Sequence, residues 1–353
     1  ASSAAYLGGL TSATIRSGGV TFDTNSNNIT VSQALLENAT STGGGLTKNG
    51  TGTLTLSGNN TFTGTTTINT GTLEVGGSGL LGAGSYSANI ANNGTLLYNG
   101  TNSQTLSGVI SGSGALTKAN SGSLILSGAN TYTGTTTINA GTLQIGAGGT
   151  TGSLSTSSAI TNNGAIVINR SNTVTQGTDF ANSITGTGNL TKSGSNTLVL
   201  GTNTYSGATT VNGGTLQLSG NISSSALTLA NTGVVSIGTT AAAEKYNASS
   251  ITIQGGSGYA FTIGNVNASV AGTDYDQLTA TGALTLSNTA ASPFTVYLNG
   301  APTGWSNSGT YSWDIISAAS QTGFTAGNFS VNLNSFGIAS ANRTGTWTFT
   351  NPS

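Results

Sequence analysis

Acid–base chemistry in this chain would have to come from eight carboxylates, Asp23, Glu37, Glu74, Asp179, Glu244, Asp274, Asp276 and Asp314, because histidine and cysteine are both absent. Only Asp274 and Asp276 are close in sequence, and on a strand residues i and i+2 share a face. Two carboxyls roughly 5–10 Å apart around a sugar would suit glycoside hydrolysis. A weak calcium site is the other chemistry such a pair offers. A solvated turn ahead of the last strands is the plainer expectation, with Tyr275 pointing away from both acids. Gly76-Gly77-Ser78-Gly79 and Gly255-Gly256-Ser257-Gly258 have the glycines of the calcium-binding nonapeptide but lack its Asp. Gly77, Gly79 and Gly82 satisfy GxGxxG without the helix or βαβ spacing that a nucleotide site requires. We assign no catalytic, cofactor-binding or metal-ligating residue, expect no cofactor, and read the chain as a non-enzyme.

The basic residues number seven, against eight acids, for a net charge of −1. Nucleic-acid binding therefore has no electrostatic footprint. Lys48, Lys118 and Lys192 recur at one position of a repeat and are expected as a repeated surface charge. Three coils apart, they would stand ~14 Å from one another along one edge. Phe62, Tyr132 and Tyr205 are likewise equivalent to one another and are expected to stack in a corner or in the core. Thr65/Thr67 and Thr135/Thr137 invite comparison with water-ordering threonine arrays. The third copy, Ala208-Thr209-Thr210-Val211, breaks that pair, and the coils between copies are not expected to supply it.

These residues must be positioned by a chain of 353 residues holding 55 glycines, three prolines and 4% charge. Glycine, threonine, asparagine and serine are poor helix formers, and no apolar run is long enough for a membrane-spanning helix. Residues 45–76, GLTKNGTGTLTLSGNNTFTGTTTINTGTLEVG, recur as ALTKANSGSLILSGANTYTGTTTINAGTLQIG at 115–146 and as NLTKSGSNTLVLGTNTYSGATTVNGGTLQLS at 189–219. The unit is about 70 residues long, well beyond a single coil. It contains period-2 runs such as Leu54-Thr55-Leu56 and Leu124-Ile125-Leu126. Such runs, bounded by Gly, Asn and Ser, predict short half-buried strands. With about 23 residues per coil, they predict an all-β fold, a right-handed parallel β-solenoid in which each coil covers the next. Residues 1–44 are read as the solenoid start, 45–240 as three repeat units, and 241–353 as a continuation ending in an aromatic cap and assembly segment. All three Trp lie in that last segment.

The three copies closely resemble the autotransporter-associated β-strand repeat, also called the passenger-associated transport repeat. DYDQLTATGALTLSNT (274–289) and YSWDIISAASQTGFTAGNFSVN (311–332) look like the C-terminal part of exported proteins carrying it, some of which end in a Pro-Glu-Pro sorting tail. The resemblance implies export and an extracellular or bacterial cell-surface location. No barrel-like block of long alternating strands precedes Pro352-Ser353, so a barrel or tail is expected to be removed in maturation, or the protein released. The Ala-Ser-Ser-Ala-Ala start suits a chain cleaved from a signal peptide. The main expectation is a structural rod whose partner is a second copy, stacking head to tail into a filament. Trp313, Trp347 and Phe349 would form its plug, with Tyr6, Leu7 and Leu10 receiving. The alternatives are a monomeric adhesin passenger binding cell-surface glycans or matrix polysaccharide, and a polysaccharide-active solenoid enzyme.

Overall fold

Short alternating segments broken by glycine and asparagine are too brief to build a sheet by themselves, and here each pairs with the corresponding segment one coil later. The computed structural model describes residues 3–181, 183–238, 243–267, 270–343 and 346–351, with side chains from residue 7 onward. Among these residues the named strands pair in parallel, each with the strand of the next coil, as Leu54 does with Leu73 and Leu216 with Val235. No helix among them is long and apolar enough to cross a membrane.

The chain divides into two units, Ala1–Ser171 with Gly177–Gly188, and Asn172–Gln176 with Asn189–Ser353. Each is a parallel β-solenoid. These units do not follow the limits 44/45 and 240/241. Ile29–Val31 pairs with Thr53–Leu56 and Ile222–Leu229 with Lys245–Gln254 across them.

In the first unit a nine-stranded sheet runs from Ser3–Leu7 to Ile184–Thr185, and a five-stranded sheet from Val20–Asp23 to Ile110–Ser111. A third face carries Ser85–Tyr86, Ser103–Leu106, Ser123–Leu126, Thr142–Ile145 and Ala165–Asn169. Inward residues stack in columns one per coil. Leu54, Leu73, Leu96 and Leu116 are successive register partners and all are buried. Each such leucine contributes roughly 1.5–3 kcal/mol only because the coils before and after cover it.

The repeat is not a whole number of coils. Leu46 pairs with Thr66, Thr66 with Ile90 and Ile90 with Ile110, all on the five-stranded sheet. Leu116, the repeat equivalent of Leu46, comes one strand later and lies on the nine-stranded sheet. Lys48 and Lys118 therefore stand on different faces, which removes the expected row along one edge.

Phe62, Tyr132 and Tyr205 are buried in the core. The Tyr132 hydroxyl lies 2.7 Å from Thr136 Oγ1, which also meets Ser158 Oγ at 2.7 Å. Tyr205, Thr209 and Ser225 repeat this chain at 2.6 and 2.7 Å. Phe62 has no hydroxyl, and there Tyr86, one coil on, supplies it to Thr66 at 2.8 Å. A buried threonine left alone would forfeit a hydrogen bond, which explains the exchange. Tyr132→Phe should cost about 1 kcal/mol. Phe62→Tyr makes the first copy resemble the others, yet should cost about 1–3 kcal/mol, because Tyr86 already occupies that position. Urea midpoints of the two variants check the pair; a stabilised Phe62→Tyr would contradict the exchange.

The threonine array is more extensive than the copies alone suggest. Thr117, Thr137, Thr161 and Thr185 are consecutive outward partners on the nine-stranded sheet. In the second unit Thr191, Thr210, Thr228, Thr252, Thr285 and Thr322 form one unbroken column. The intervening coils thus supply single threonines and not the Thr-x-Thr pair, Thr67 meeting Ala91 one coil on, because register and not repeat number decides which residues align.

Candidate functional site

Alternation decides what the repeated lysines do. In Leu46-Thr47-Lys48 the leucine points inward, and two residues on the lysine shares its face. Lys48, Lys118 and Lys192 are fully buried, so the expected surface charge is an interior one. Lys48 stands between Phe22 and Ile68, and Lys118 between Tyr98 and Ile138, in the inward columns. Each ammonium curls into the corner just beyond its own strand. Lys48 Nζ donates to the carbonyls of Asn49 (2.9 Å), Gly50 (2.7 Å) and Thr70 (3.2 Å). Lys118 Nζ donates to Ala119, to Asn120 (2.7 Å) and to Ala140 (3.2 Å). Lys192 Nζ donates to Ser193 (2.9 Å), Gly194 (3.0 Å) and Gly213 (3.1 Å). Three donors meet three turn carbonyls, two from the lysine's own corner and one from the corner a coil later. Burial pushes Lys118 and Lys192 down to about 8, and lowers Lys48 against the raising influence of Asp23. The Tyr98 ring, 5.4 Å from Lys118 Nζ, adds a cation–π contact. The lysines are clasps between coils, and the sequence signal for them is strand parity.

Asp274 and Asp276 are not in a solvated turn; both are buried, as is Tyr275. Asp276 accepts from the Glu244 N–H at 3.0 Å and the Thr262 N–H at 2.8 Å. Asp274 accepts from the Val270 N–H at 2.9 Å. Both carboxylates thus satisfy main chain that the register leaves unpaired. Burial raises Asp276 to about 7, with the Glu244 charge adding to the rise and the two N–H donors opposing it. Unfolded, an aspartate releases its proton at about pH 3.9. Between there and about pH 7 the folded state binds more protons, so stability falls as pH rises through that window. Denaturant titrations at pH 4 and pH 7 should show this loss, and Asp276→Asn should flatten it while lowering stability overall. An equal pH slope in both proteins would contradict the assignment.

The third cluster lies where the coils widen. Val234 pairs with Gly258, but the next partners, Thr295 for Gly258 and Phe329 for Phe294, lie much farther along the chain. A longer coil encloses a larger cross-section, which aliphatic side chains no longer fill. Aromatic rings take their place around a cavity of about 990 Å³. Trp305, Tyr311, Trp313 and Trp347 form a closed cycle of near-parallel neighbours. The centroid distances are 5.2, 5.9, 6.5 and 6.3 Å and the interplanar angles 22–30°. All four rings are half-buried. Phe349 stacks on Phe329 at 5.0 Å.

The expected plug residues Trp313, Trp347 and Phe349 are thus brought together, on their own chain. Leu7 is half-buried and Leu10 is 50% exposed in the other unit, and the Tyr6 side chain lies outside the described residues. Sequence reasoning misses the part that Trp305 and Tyr311 play in the cluster. Parity signals Tyr311, two residues before Trp313; nothing local signals Trp305, which arrives through a loop.

The passenger-associated-transport-repeat family model matches residues 46–75, 116–145 and 190–218. Among curated proteins, the adhesin BmaC autotransporter of Brucella suis biovar 1 (strain 1330) is 46% identical over 148 residues, 36% of this chain. The chain spans 4% of that relative's length. No solved structure matches the chain. The matched segments carry the lysine clasps, together with Phe62, Tyr132 and Tyr205, and the chain thus contains three passenger-associated transport repeats.

Proposed function

We infer that this chain is part of an exported, non-enzymatic passenger displayed at a bacterial surface, acting as an adhesin. The observation that carries this reading is the 46% identity to an autotransporter adhesin. The interior supports it, since the buried lysines and aspartates are engaged with main-chain groups and leave the outer faces regular and sparsely charged. Beads coated with the purified chain should adhere to cells or to matrix polysaccharide, and soluble chain should compete. Coated beads that adhere no better than albumin-coated ones would count against an adhesin. Release of reducing ends from a polysaccharide panel would instead favour an enzyme.

A second reading, head-to-tail assembly of copies into a fibre, draws on the last strands. The inward positions of Ile316–Thr322 and of residues 329–331 stay half-exposed, whereas their partners, Leu278, Ala280 and Leu284 for the first strand and Phe294 and Val296 for the second, are buried. Negative-stain images and sedimentation at high concentration test it; monodisperse particles throughout would exclude it.

A further inference from the structure

We propose that the aromatic cleft formed by Trp305, Tyr311, Trp313 and Trp347 binds a neutral glycan, and that it is the recognition site of the adhesin reading on which this inference rests. The rings' fixed edges argue for a ligand on their faces. Trp305 Nε1 donates to the Asn342 carbonyl at 2.8 Å, and the Tyr311 hydroxyl accepts from the Ser306 N–H at 2.7 Å. These bonds hold the rings in place without covering them. The indole N–H groups of Trp313 and Trp347 have no hydrogen-bond partner among the described residues, and both rings are half-exposed.

An apolar body with a polar tip is the usual makeup of a recognition aromatic. Pyranose rings present axial C–H groups on one face and hydroxyls around the edge, so they match such rings surrounded by hydrogen-bonding side chains. Ser306, Asn307, Ser312, Gln321 and Asn342 line the same cavity. Among the described residues its only charged lining groups are Asp314 and Arg343, one of each sign, which selects against a polyanionic or cationic ligand. The volume, about 990 Å³, lies at the upper end of the range for small-molecule sites and accommodates more than one sugar ring. A second copy of this chain is the rival occupant, and the titration below separates it from a sugar.

The chain contains three tryptophans, and all three line this cleft. Tryptophan fluorescence of the full chain therefore reports on the cleft alone. Titration with cellohexaose, N-acetylchitohexaose, xylohexaose and mannohexaose should give a saturable emission shift with at least one of them. Trp313→Ala and Trp347→Ala should each weaken that binding by roughly tenfold or more, and Trp313→Phe should retain most of it. Far-ultraviolet circular dichroism confirms that each variant keeps its strands. No saturable shift with any of the four sugars up to about 10 mM overturns the proposal. So does an emission shift that depends on protein concentration without sugar, which would identify a second copy as the occupant. If coated beads adhere and the Trp313→Ala and Trp347→Ala chains adhere equally well, the adhesin reading stands and this site is wrong. If sugar binds in the cleft but beads fail to adhere, the site stands and the adhesin reading fails.

Discussion

Replacing Lys118 by methionine should destabilise the first unit by about 3 kcal/mol, a large effect for loss of one positive charge from a β-protein. In the wild type three carbonyls converge on one ammonium, and those of Ala119 and Ala140 belong to corners of successive coils. Methionine fills the same column between Tyr98 and Ile138 but donates nothing. Charge-assisted hydrogen bonds contribute about 1.5–3 kcal/mol each, partly offset here by better burial of an apolar side chain. Equilibrium urea unfolding measures the difference. A surface lysine, as the sequence suggested, would give a change within about 0.5 kcal/mol, so that result would remove the clasp. Lys48→Met should behave alike, since its three carbonyl partners are equivalent.

The second large effect is expected at Gly141, in the same corner as the Lys118 clasp. Its φ is +68°, and a Cβ there would lie 2.3 Å from the Asn120 carbonyl oxygen, 2.5 Å from that of Gly122 and 2.7 Å from Lys118 Nζ. Left-handed backbone alone costs a side chain roughly 1–2 kcal/mol. Forcing two main-chain oxygens and the ammonium apart adds about as much again, so Gly141→Ala should cost about 3 kcal/mol or more. Gly77 is the internal control. Its φ is +62°, but nothing lies within 4 Å of its Cβ position. Gly77→Ala should therefore cost only the conformational part, about 1 kcal/mol. Because the Gly141 Cβ would strike Lys118 and one of its acceptors, Gly141→Ala and Lys118→Met together should cost clearly less than their sum. Additive losses would mean that the glycine and the lysine serve separate ends.

Both effects share an origin. Coils this short turn so tightly that their corner carbonyls face inward without strand partners. A fold nearly free of charge then has to satisfy them with the few cations it carries. Glycine lets the backbones approach closely enough for one ammonium to reach three of them. The buried aspartates of the second unit do the converse, accepting from orphaned N–H groups. Charge is scarce in this chain, and the three clasp lysines and the two aspartates are all buried.

Much of this is legible from residue order. Period-2 runs between glycines announce parallel coils, and the equivalence of Phe62, Tyr132 and Tyr205 announces a core position, because burying every second residue is local geometry that any strand obeys. Parity would also turn Lys48, Lys118 and Lys192 inward, were lysine not expected to seek water. What the linear chain does not disclose is how far each coil advances. The sum of turn lengths sets that, so the repeat ends one face later than it began and Lys48 and Lys118 part company. The threonine columns are likewise hidden, since their members come from different positions in the repeat and meet only through register. The aromatic cleft is decided wholly in three dimensions. Trp305, Trp313 and Trp347 stand apart along the chain, and they become neighbours because the last coils enlarge and leave an interior that aliphatic side chains line but do not fill.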